Sequence, residues 1–480
     1  MHQPRGSDEP GTEATGEGPG RRYGRQVSLE DAAVVAAGPT RLAELLRSGE
    51  LTSRRLTELT LAAIAAKDPA INAMVSVFAD EALAAADEAD RRRAAGESGP
   101  LSGIPVVVKD DLDIRGTVTG LGSRAQTSVA ASDSDLVAAM RAAGMVIVGT
   151  STLPELAITG FTESERSGIT RNPHHLGHTP GGSSGGSAAL VAAGAVSIAT
   201  ASDGAGSIRI PAACCGLVGF KPTQGTMPSS GGWHGLSTQG GLAARVVDSA
   251  LFLDTFGIFG SSLVEAATHD PAPLRIGVSF SAAAATKPAP LDPRVREQVE
   301  HAAALLGGAG HRVRAVDVPY PIASKALTVR YLGGIAQAAG RVDDPALLEA
   351  RTRQIARLGR PFGPRAVAWA VRQGRAWGDS VHDALDVDVL LTPVMSGPAI
   401  PVEHWKGRGG LSTVLAMNAF YPYTAQWNHA GVPAVSMPMG STDEGLPLAV
   451  QLIARRGDDA RLMALAGQLE RLEVSRDQVS

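Results

Sequence analysis

The chain has 480 residues, of which 44% are hydrophobic and 19% are charged, and its formal net charge at pH 7 is −4. A chain of this composition can bury a sizeable core, so the disordered and fibrous classes are excluded for most of its length. The near balance of acids and bases favours neither nucleic acid nor a membrane surface as a partner.

The N-terminal residues, the longest apolar run and the cysteines bear on the cellular location of the protein. Residues 1–25 are polar, rich in Gly and Glu and without the apolar stretch of a signal peptide, so we expect a disordered tail there. The longest apolar run, from Ala188 to Ala201, is too short to span a bilayer and predicts a buried helix followed by a strand. Cys214 and Cys215 are adjacent, which predicts no disulfide framework or zinc site and favours a reducing cytoplasm.

Helices are predicted in the N-terminal part of the chain. One has leucines at helical spacing and ends at Gly49. Another starts at Thr52, a residue type suited to the N-cap, and runs to about Ala66. A third, rich in alanine and charged residues, covers roughly Asp80–Ala95.

From residue 104 onward the pattern indicates strands alternating with helices. Ile104–Val108 and Met145–Val148 are short apolar runs rich in β-branched residues, with a helical segment near Asp135–Ala143 between them. Further strand candidates are Val196–Ala199, Leu274–Val278, Val387–Leu391 and Leu448–Ile453. We expect one large α/β domain over residues 26–480, with its single soft boundary near Gly257–Pro273.

Three segments far apart in the sequence contain the residue types that a serine nucleophile and its base require. Lys109 ends a predicted buried strand, Ser183 lies in the Gly/Ser-rich segment Thr179–Ser187, and Ser207 follows Gly204-Ala-Gly. A serine hydroxyl becomes a good nucleophile only when a base removes its proton. Since desolvation disfavours an ammonium ion, a buried Lys109 can accept a proton from Ser183, which in turn accepts one from Ser207.

Other interpretations of these segments stay open. A lysine after a strand is commonly a solvated charge or a salt-bridge partner, and a Gly/Ser-rich stretch is commonly a turn. A glycine-rich loop before a helix also binds phosphate, although the nucleotide-binding pattern G-x-x-x-x-G-K-[ST] is missing. Residues 181–185 and 182–186 match the nucleophile elbow G-x-S-x-G, but a loop rather than a strand precedes them.

A histidine-rich loop suggests a metal site. His174, His175 and His178 are close in sequence, but Pro173 and Gly177 argue against the helix that would bring an i, i+4 pair together. We therefore expect no metal and no cofactor.

Together these segments resemble the amidase signature family. The matching segments, in the family's order and spacing, are Gly103–Asp110, Thr119–Ser123, Asn172-Pro, Gly181–Ser187, Asp203–Pro211 and Gly216–Thr223. The segment Phe420–Asn428 and the cysteine pair are similar to the branch containing 6-aminohexanoate cyclic-dimer hydrolases and aryl acylamidases.

The resemblance implies a single α/β domain whose mixed central sheet is covered by helices on both sides. It implies that Ser207 is the acylated nucleophile, Ser183 the bridging serine after a cis peptide bond, and Lys109 the base. The oxyanion hole would consist of the N–H groups of Gly204, Ala205, Gly206 and Ser207, and the supporting residues would be Asp203, Arg209 and Ser184. Ala205 stands where the family commonly has glycine.

The implied substrate is a small-molecule amide, with carbamates and esters open to the same acylation chemistry. Candidate pocket residues are Ile169, Thr179, Gly181, Trp233, Tyr421 and Trp427. A homodimer is expected by analogy. The alternatives are the A-type subunit of a tRNA-dependent amidotransferase, a Ser–His–Asp esterase and a non-catalytic binding subunit; against the first, Asn418–Asn428 holds no carboxylate.

Overall fold

A computed structural model describes residues 29–229, 232–283, 287–320 and 323–477. The tail predicted over residues 1–25 lies outside these ranges. The helices of the described residues are α1 Leu29–Val35, α2 Pro39–Ser48, α3 Ser53–Ile71, α4 Ala79–Ala94, α5 Asp135–Ala142, α6 Gly185–Ala192, α7 Arg209–Cys215, the single turn α8 Gly232–Gly235, α9 Val246–Phe256, α10 Leu263–Thr268, α11 Pro293–Gly308, α12 Ala323–Ala339, α13 Ala350–Gly359, α14 Pro364–Ala384, α15 Gly410–Phe420, α16 Ala425–Ala430 and α17 Asp459–Asp477.

The strands of the described residues form one large sheet and one small hairpin. They are β1 Met74–Val77, β2 Pro105–Lys109, β3 Val146–Ser151, β4 Glu163–Ser164, β5 Gly168–Ile169, β6 Ile198–Asp203, β7 Val218–Lys221, β8 Thr238–Ala243, β9 Arg275–Val278, β10 Arg312–Ala315, β11 Val389–Pro393, β12 Ala434–Ser441 and β13 Pro447–Ala454. The large sheet has eleven strands in the order β1-β3-β2-β6-β8-β7-β12-β13-β11-β9-β10. It is mixed, because β3, β2 and β6 run parallel, β11, β9 and β10 run parallel, and the central pairs are antiparallel.

Both faces of this sheet are covered by helices. The alternation of side chains along a strand sends Val106 and Val108 of β2 into one core and Val107 into the other. The first core contains apolar side chains of α5, α9, α11 and α17, and the second contains those of α3, α6 and α7. The predicted single α/β domain with a mixed, two-sided sheet is confirmed.

Most of the predicted elements are present within a few residues of their predicted ends. The helix predicted from Thr52 begins at Ser53, and the Thr52 side chain accepts a hydrogen bond from the N–H of Arg55 as an N-cap residue does. The run Ala188–Ala201 is indeed the end of a buried helix followed by a strand. Sequence reasoning missed several strands, among them β7, β8 and β12.

The segment Gly257–Pro273, predicted as the single soft boundary, packs against the rest of the domain. The segment contains α10, whose Leu263 and Ala267 are buried in the first core beside α9 and α17. Among the described residues, no helix is both long enough and apolar enough to cross a membrane.

Candidate active site

Lys109 is the last residue of β2, a strand buried along its whole length between β3 and β6. Its side chain is fully buried, and its Nζ donates hydrogen bonds of 2.8 Å to Ser183 Oγ and to Ser202 Oγ. Burial lowers the pKa of Lys109, and the nearby carboxylates Asp111 and Asp203 only partly oppose this effect. Burial therefore shifts the amine toward its neutral form, which can accept a proton.

Asp111 and Ser202 complete the surroundings of the amine, and sequence reasoning did not select either residue. Ser202 Oγ donates to Asp111 Oδ2 at 2.6 Å, and the same carboxylate oxygen lies 3.3 Å from Lys109 Nζ. Ser202 is the residue of β6 before Asp203, and Asp111 follows Lys109 by two residues, so each lies one residue outside a matching segment. Their closeness in sequence to these segments was the only signal available.

Ser183 lies in a tightly packed turn just before α6. The peptide bond between Gly182 and Ser183 is cis. A methyl group at Gly182 would lie 2.7 Å from the backbone N of Phe161, and one at Gly186 would lie 2.5 Å from the N of Thr152. These glycines are therefore needed for close backbone packing, not for flexibility.

Ser207 belongs to the loop that joins β6 to α7. Gly206 in this loop has φ +123°, a conformation that favours glycine, and its N–H donates to Asp203 Oδ1. Among the described hydrogen bonds, none uses the N–H of Gly204, Ala205 or Ser207. Three of the four predicted oxyanion-hole donors are thus uncommitted, whereas Gly206 N–H is already engaged.

A buried ion pair fixes this loop. Arg209 donates to Asp203 through Nε at 2.9 Å and Nη2 at 3.1 Å, and neither side chain is exposed. Asn428 Nδ2 also donates to Asp203 Oδ1. Burial alone raises the pKa of Asp203, but the charge and hydrogen bonds of Arg209 outweigh it and lower that pKa to about 2. The carboxylate therefore stays ionised and holds the loop.

A cavity of about 560 Å³ opens onto these groups. Its polar lining includes Asp111, Ser183, Ser202 and Ser207, and Ala205 also lines it. Its apolar lining includes Leu121, Leu156, Ile158, Trp233, Leu327, Tyr331, Met417 and Tyr421. Among the described residues, no hydrogen bond joins the hydroxyl of Ser183 to that of Ser207, although both residues line the cavity.

The sequence places this arrangement in a known family. The sequence model of the Amidase family matches residues 55–463 of the chain. The chain belongs to the Amidase family. It is accordingly an enzyme that hydrolyses amide bonds.

Curated relatives agree with this family membership. AmiB2 of Mycobacterium tuberculosis, whose amidase assignment is provisional, is 43% identical over 448 residues, which cover 90% of this chain and 96% of AmiB2. The A-type chain of the glutamyl-tRNA(Gln) amidotransferase of Synechococcus sp. is 34% identical over 476 residues, which cover 88% of this chain and 94% of that relative.

Two solved structures of the family are similar to this amidase over nearly their whole length. The 6-aminohexanoate cyclic dimer hydrolase has a TM-score of 0.80 at 29% identity, and the match covers 92% of this chain and 97% of that one. A bacterial aryl acylamidase has a TM-score of 0.81 at 25% identity, and the match covers 92% and 96% of the two chains. Both belong to the branch whose resemblance the sequence suggested.

The candidate pocket residues of this amidase lie in different places. Trp233 and Tyr421 line the cavity. The other four are not among the described residues that line it. Trp427 is fully buried and stacks on Trp377, and the N–H of Gly181 donates to Thr179 Oγ1. Ile169 lies in the small hairpin, paired with Glu163.

The histidines and cysteines of the amidase take structural positions. His175 and His178 contact each other through their Nδ1 atoms at 2.9 Å, and His174 Nε2 contacts the carbonyl of Cys215. The described residues contain no group of three potential metal ligands. Cys214 and Cys215 are free and buried in the second core, and burial raises the pKa of the Cys214 thiol to about 12, so it stays protonated.

Proposed function

We propose that this amidase hydrolyses its substrate through an acyl-enzyme formed on Ser207, with Ser183 and Lys109 as the proton relay. The observation that carries the proposal is the 2.8 Å hydrogen bond between Lys109 Nζ and Ser183 Oγ, at the wall of the cavity that Ser207 also lines. Burial lowers the pKa of Lys109, which makes the amine a better proton acceptor than an exposed lysine at the same pH.

In the acylation step, Ser207 Oγ attacks the carbonyl carbon and passes its proton to Ser183, while the proton of Ser183 moves to Lys109 Nζ. The negative oxygen of the tetrahedral intermediate accepts hydrogen bonds from the free N–H groups of the 204–207 loop. The relay then returns a proton to the leaving nitrogen as the C–N bond breaks. Water attacks the acyl-enzyme by the same route and releases the acid.

The step from Ser207 to Ser183 requires the two hydroxyls to approach. Rotation of the Ser207 side chain about χ1 moves its Oγ without a change in the backbone. Catalytic hydrogen bonds commonly shorten only when substrate binds. The proposal therefore places this contact in the substrate complex.

The cavity lining supports amides with apolar or aromatic groups as substrates. Trp233, Tyr331 and Tyr421 supply aromatic surface, and leucines and Met417 supply much of the remaining apolar surface of the cavity. The names of the two similar structures, a cyclic-dimer hydrolase and an aryl acylamidase, fit this choice. Carbamates and esters are further substrates of the same chemistry. A homodimer and a cytoplasmic location stay predictions.

A panel of amides, anilides, carbamates and esters tests the proposal on the purified protein. Ser207→Ala, Ser183→Ala and Lys109→Met should each lower kcat by at least about 1000-fold, because each removes a group of the relay. Ser187→Ala is the matched control, since its hydroxyl lies in the same motif but bonds Thr200 O and does not line the cavity. Full activity of Lys109→Met would overturn the mechanism.

A Ser–His–Asp esterase is disfavoured because no histidine is among the described residues that line the cavity. If the protein were a Ser–His–Asp esterase, Lys109→Met would stay active and one histidine variant would lose activity. A non-catalytic binding protein would form no adduct on Ser207 with a serine-directed fluorophosphonate, which mass spectrometry detects directly.

The amidotransferase alternative rests on the 34% identical relative from Synechococcus sp.. It predicts glutaminase activity and a copurifying partner chain. Hydrolysis of anilides in preference to glutamine by the isolated chain would exclude it.

A further inference from the structure

A second cavity of about 250 Å³ adjoins the first. The two share Ser229, Ser237 and Gln239 in their lining. The second cavity is also lined by Arg330 and Arg375, and no carboxylate is among its described lining residues. It is therefore a positively charged compartment that opens beside the proposed acyl site.

Arg330 of α12 is the unusual member of this lining. Only 1% of it is exposed, yet its partners are the carbonyl oxygens of His429 at 3.1 Å and His234 at 3.0 Å and the ring Nδ1 of His429 at 3.3 Å, none of them a carboxylate. Its Nε is buried with no hydrogen-bond partner. Burial lowers the pKa of Arg330 to about 10, and no acid opposes the shift. A buried charge normally has an ionic partner, as Arg209 has in Asp203.

Arg375 of α14 adds a second positive charge to the same wall. It is exposed, and within the described part of the chain it forms no ion pair. Two like charges that face one cavity without a counter-charge repel each other, and an anion between them removes that cost. The positive charge of this cavity therefore comes from Arg330 and Arg375.

We infer that the second cavity binds a carboxylate of the substrate, remote from the amide that is cleaved at Ser207. The inference deepens the proposed function and rests on it for the position of the scissile bond. A guanidinium group matches a carboxylate with two parallel hydrogen bonds, and the small volume suits a single planar group. The substrate class is thus an amide whose chain carries a terminal carboxylate, with its apolar middle in the first cavity.

A series of p-nitroanilides tests this inference by chain length. The monoanilides of dicarboxylic acids from succinic to suberic acid are compared with those of monocarboxylic acids of equal carbon number. At one chain length, KM for the charged member should be at least tenfold lower than for its neutral counterpart. Arg375→Gln should reduce the ratio of the neutral to the charged KM to about threefold or less. Arg330→Lys keeps the positive charge but loses the paired N–H donors of the guanidinium group, so it should also reduce this ratio.

Arg372→Gln is the matched control. Arg372 is an exposed arginine of the same helix that does not line either cavity, so its variant should keep the full ratio. A ratio near one at every chain length in the parent protein would overturn the inference while leaving the proposed function intact.

A binding measurement keeps the inference testable if no anilide is hydrolysed. Titration calorimetry of Ser207→Ala with the free dicarboxylates should show binding that Arg375→Gln weakens at least fivefold. Absence of hydrolysis of any amide would overturn the proposed function, and absence of dicarboxylate binding would overturn the carboxylate site.

Discussion

At the scale of single residues, Lys109 stands between opposing influences. Burial lowers its pKa, while the carboxylate of Asp111, 3.3 Å from Nζ, raises it. Asp203 acts in the same direction as Asp111 from farther away, and Asp110 bonds Gly120 N–H instead of the amine. Asp111 therefore raises the pH at which Lys109 becomes a base.

Replacing Asp111 by asparagine should shift the pH profile of kcat/KM. Without this carboxylate the pKa of Lys109 falls further, so the neutral amine persists to lower pH. The acid limb of the profile should move toward lower pH by roughly 1 unit. Asp113→Asn is the control, because Asp113 also lines the cavity but accepts a hydrogen bond from Thr119. An acid limb that stays in place or moves to higher pH in Asp111→Asn would contradict this role.

The Asp203–Arg209 pair yields a stability prediction. Replacing Arg209 by methionine leaves the Asp203 carboxylate buried without its cation, which should cost about 3–5 kcal/mol of unfolding free energy. Urea unfolding measures this cost as a lowered midpoint. The double variant Asp203→Asn/Arg209→Met should recover part of it, since the unpaired charge is gone. A loss as small as that of Arg41→Gln, which breaks an exposed pair with Glu44, would show that the buried pair contributes little.

At the scale of elements, α14 packs against α16 through glycines one helical turn apart. A methyl group at Gly378 would lie 2.5 Å from the carbonyl of Ala430, and one at Gly374 would collide with that of His429. Gly378→Ala should therefore separate the helices and cost about 1–3 kcal/mol, measured by urea unfolding. Gly308→Ala in α11 meets nothing within 4 Å and should be neutral or slightly stabilising. Equal effects of the two substitutions would contradict this packing argument.

The same close packing explains which strands the sequence predicts. The β2 strand is a β-branched run buried on both faces, and its composition alone predicts it. The β8 strand reads Thr-Gln-Gly-Gly-Leu-Ala and has no such signal. Its glycines are needed because methyl groups at Gly240 and Gly241 would lie 2.9 Å from Ile208 and 2.8 Å from Phe252. A contact between a strand and a separate helix or loop cannot be inferred from local pattern.

The residues of the candidate site likewise divide into those that the sequence predicts and those that it does not. The motifs predict that Lys109, Ser183 and the 204–207 loop belong together, because their residue types suit one reaction. They do not predict Arg330, which comes from a helix more than 100 residues later and lies in no motif. Nor do they predict that Trp427 packs on Trp377 away from the cavity.

At the scale of the whole molecule, the sheet joins two halves of the chain. The first half contributes β1 to β3 and β6 to β8 and the second β9 to β13, and they meet where β7 pairs with β12 over three residue pairs. Arg209 adds hydrogen bonds from the first half to Thr424, Asn428 and Gln451 of the second. The proposed nucleophile loop is thus held by residues from both halves.

This arrangement predicts how the protein responds to a cut between its halves. A protease site inserted after Gly260, in a loop where Ile258 is 86% exposed, allows cleavage without disturbing the core. Because α10 and the β7–β12 junction stay packed, the cleaved protein should elute as one species and show a single calorimetric transition. Its transition temperature should fall relative to the uncut insertion variant, since unfolding now also releases two chains. Two separate transitions would mean that each half holds its own fold, and the active-site loop would then not depend on the second half for its shape.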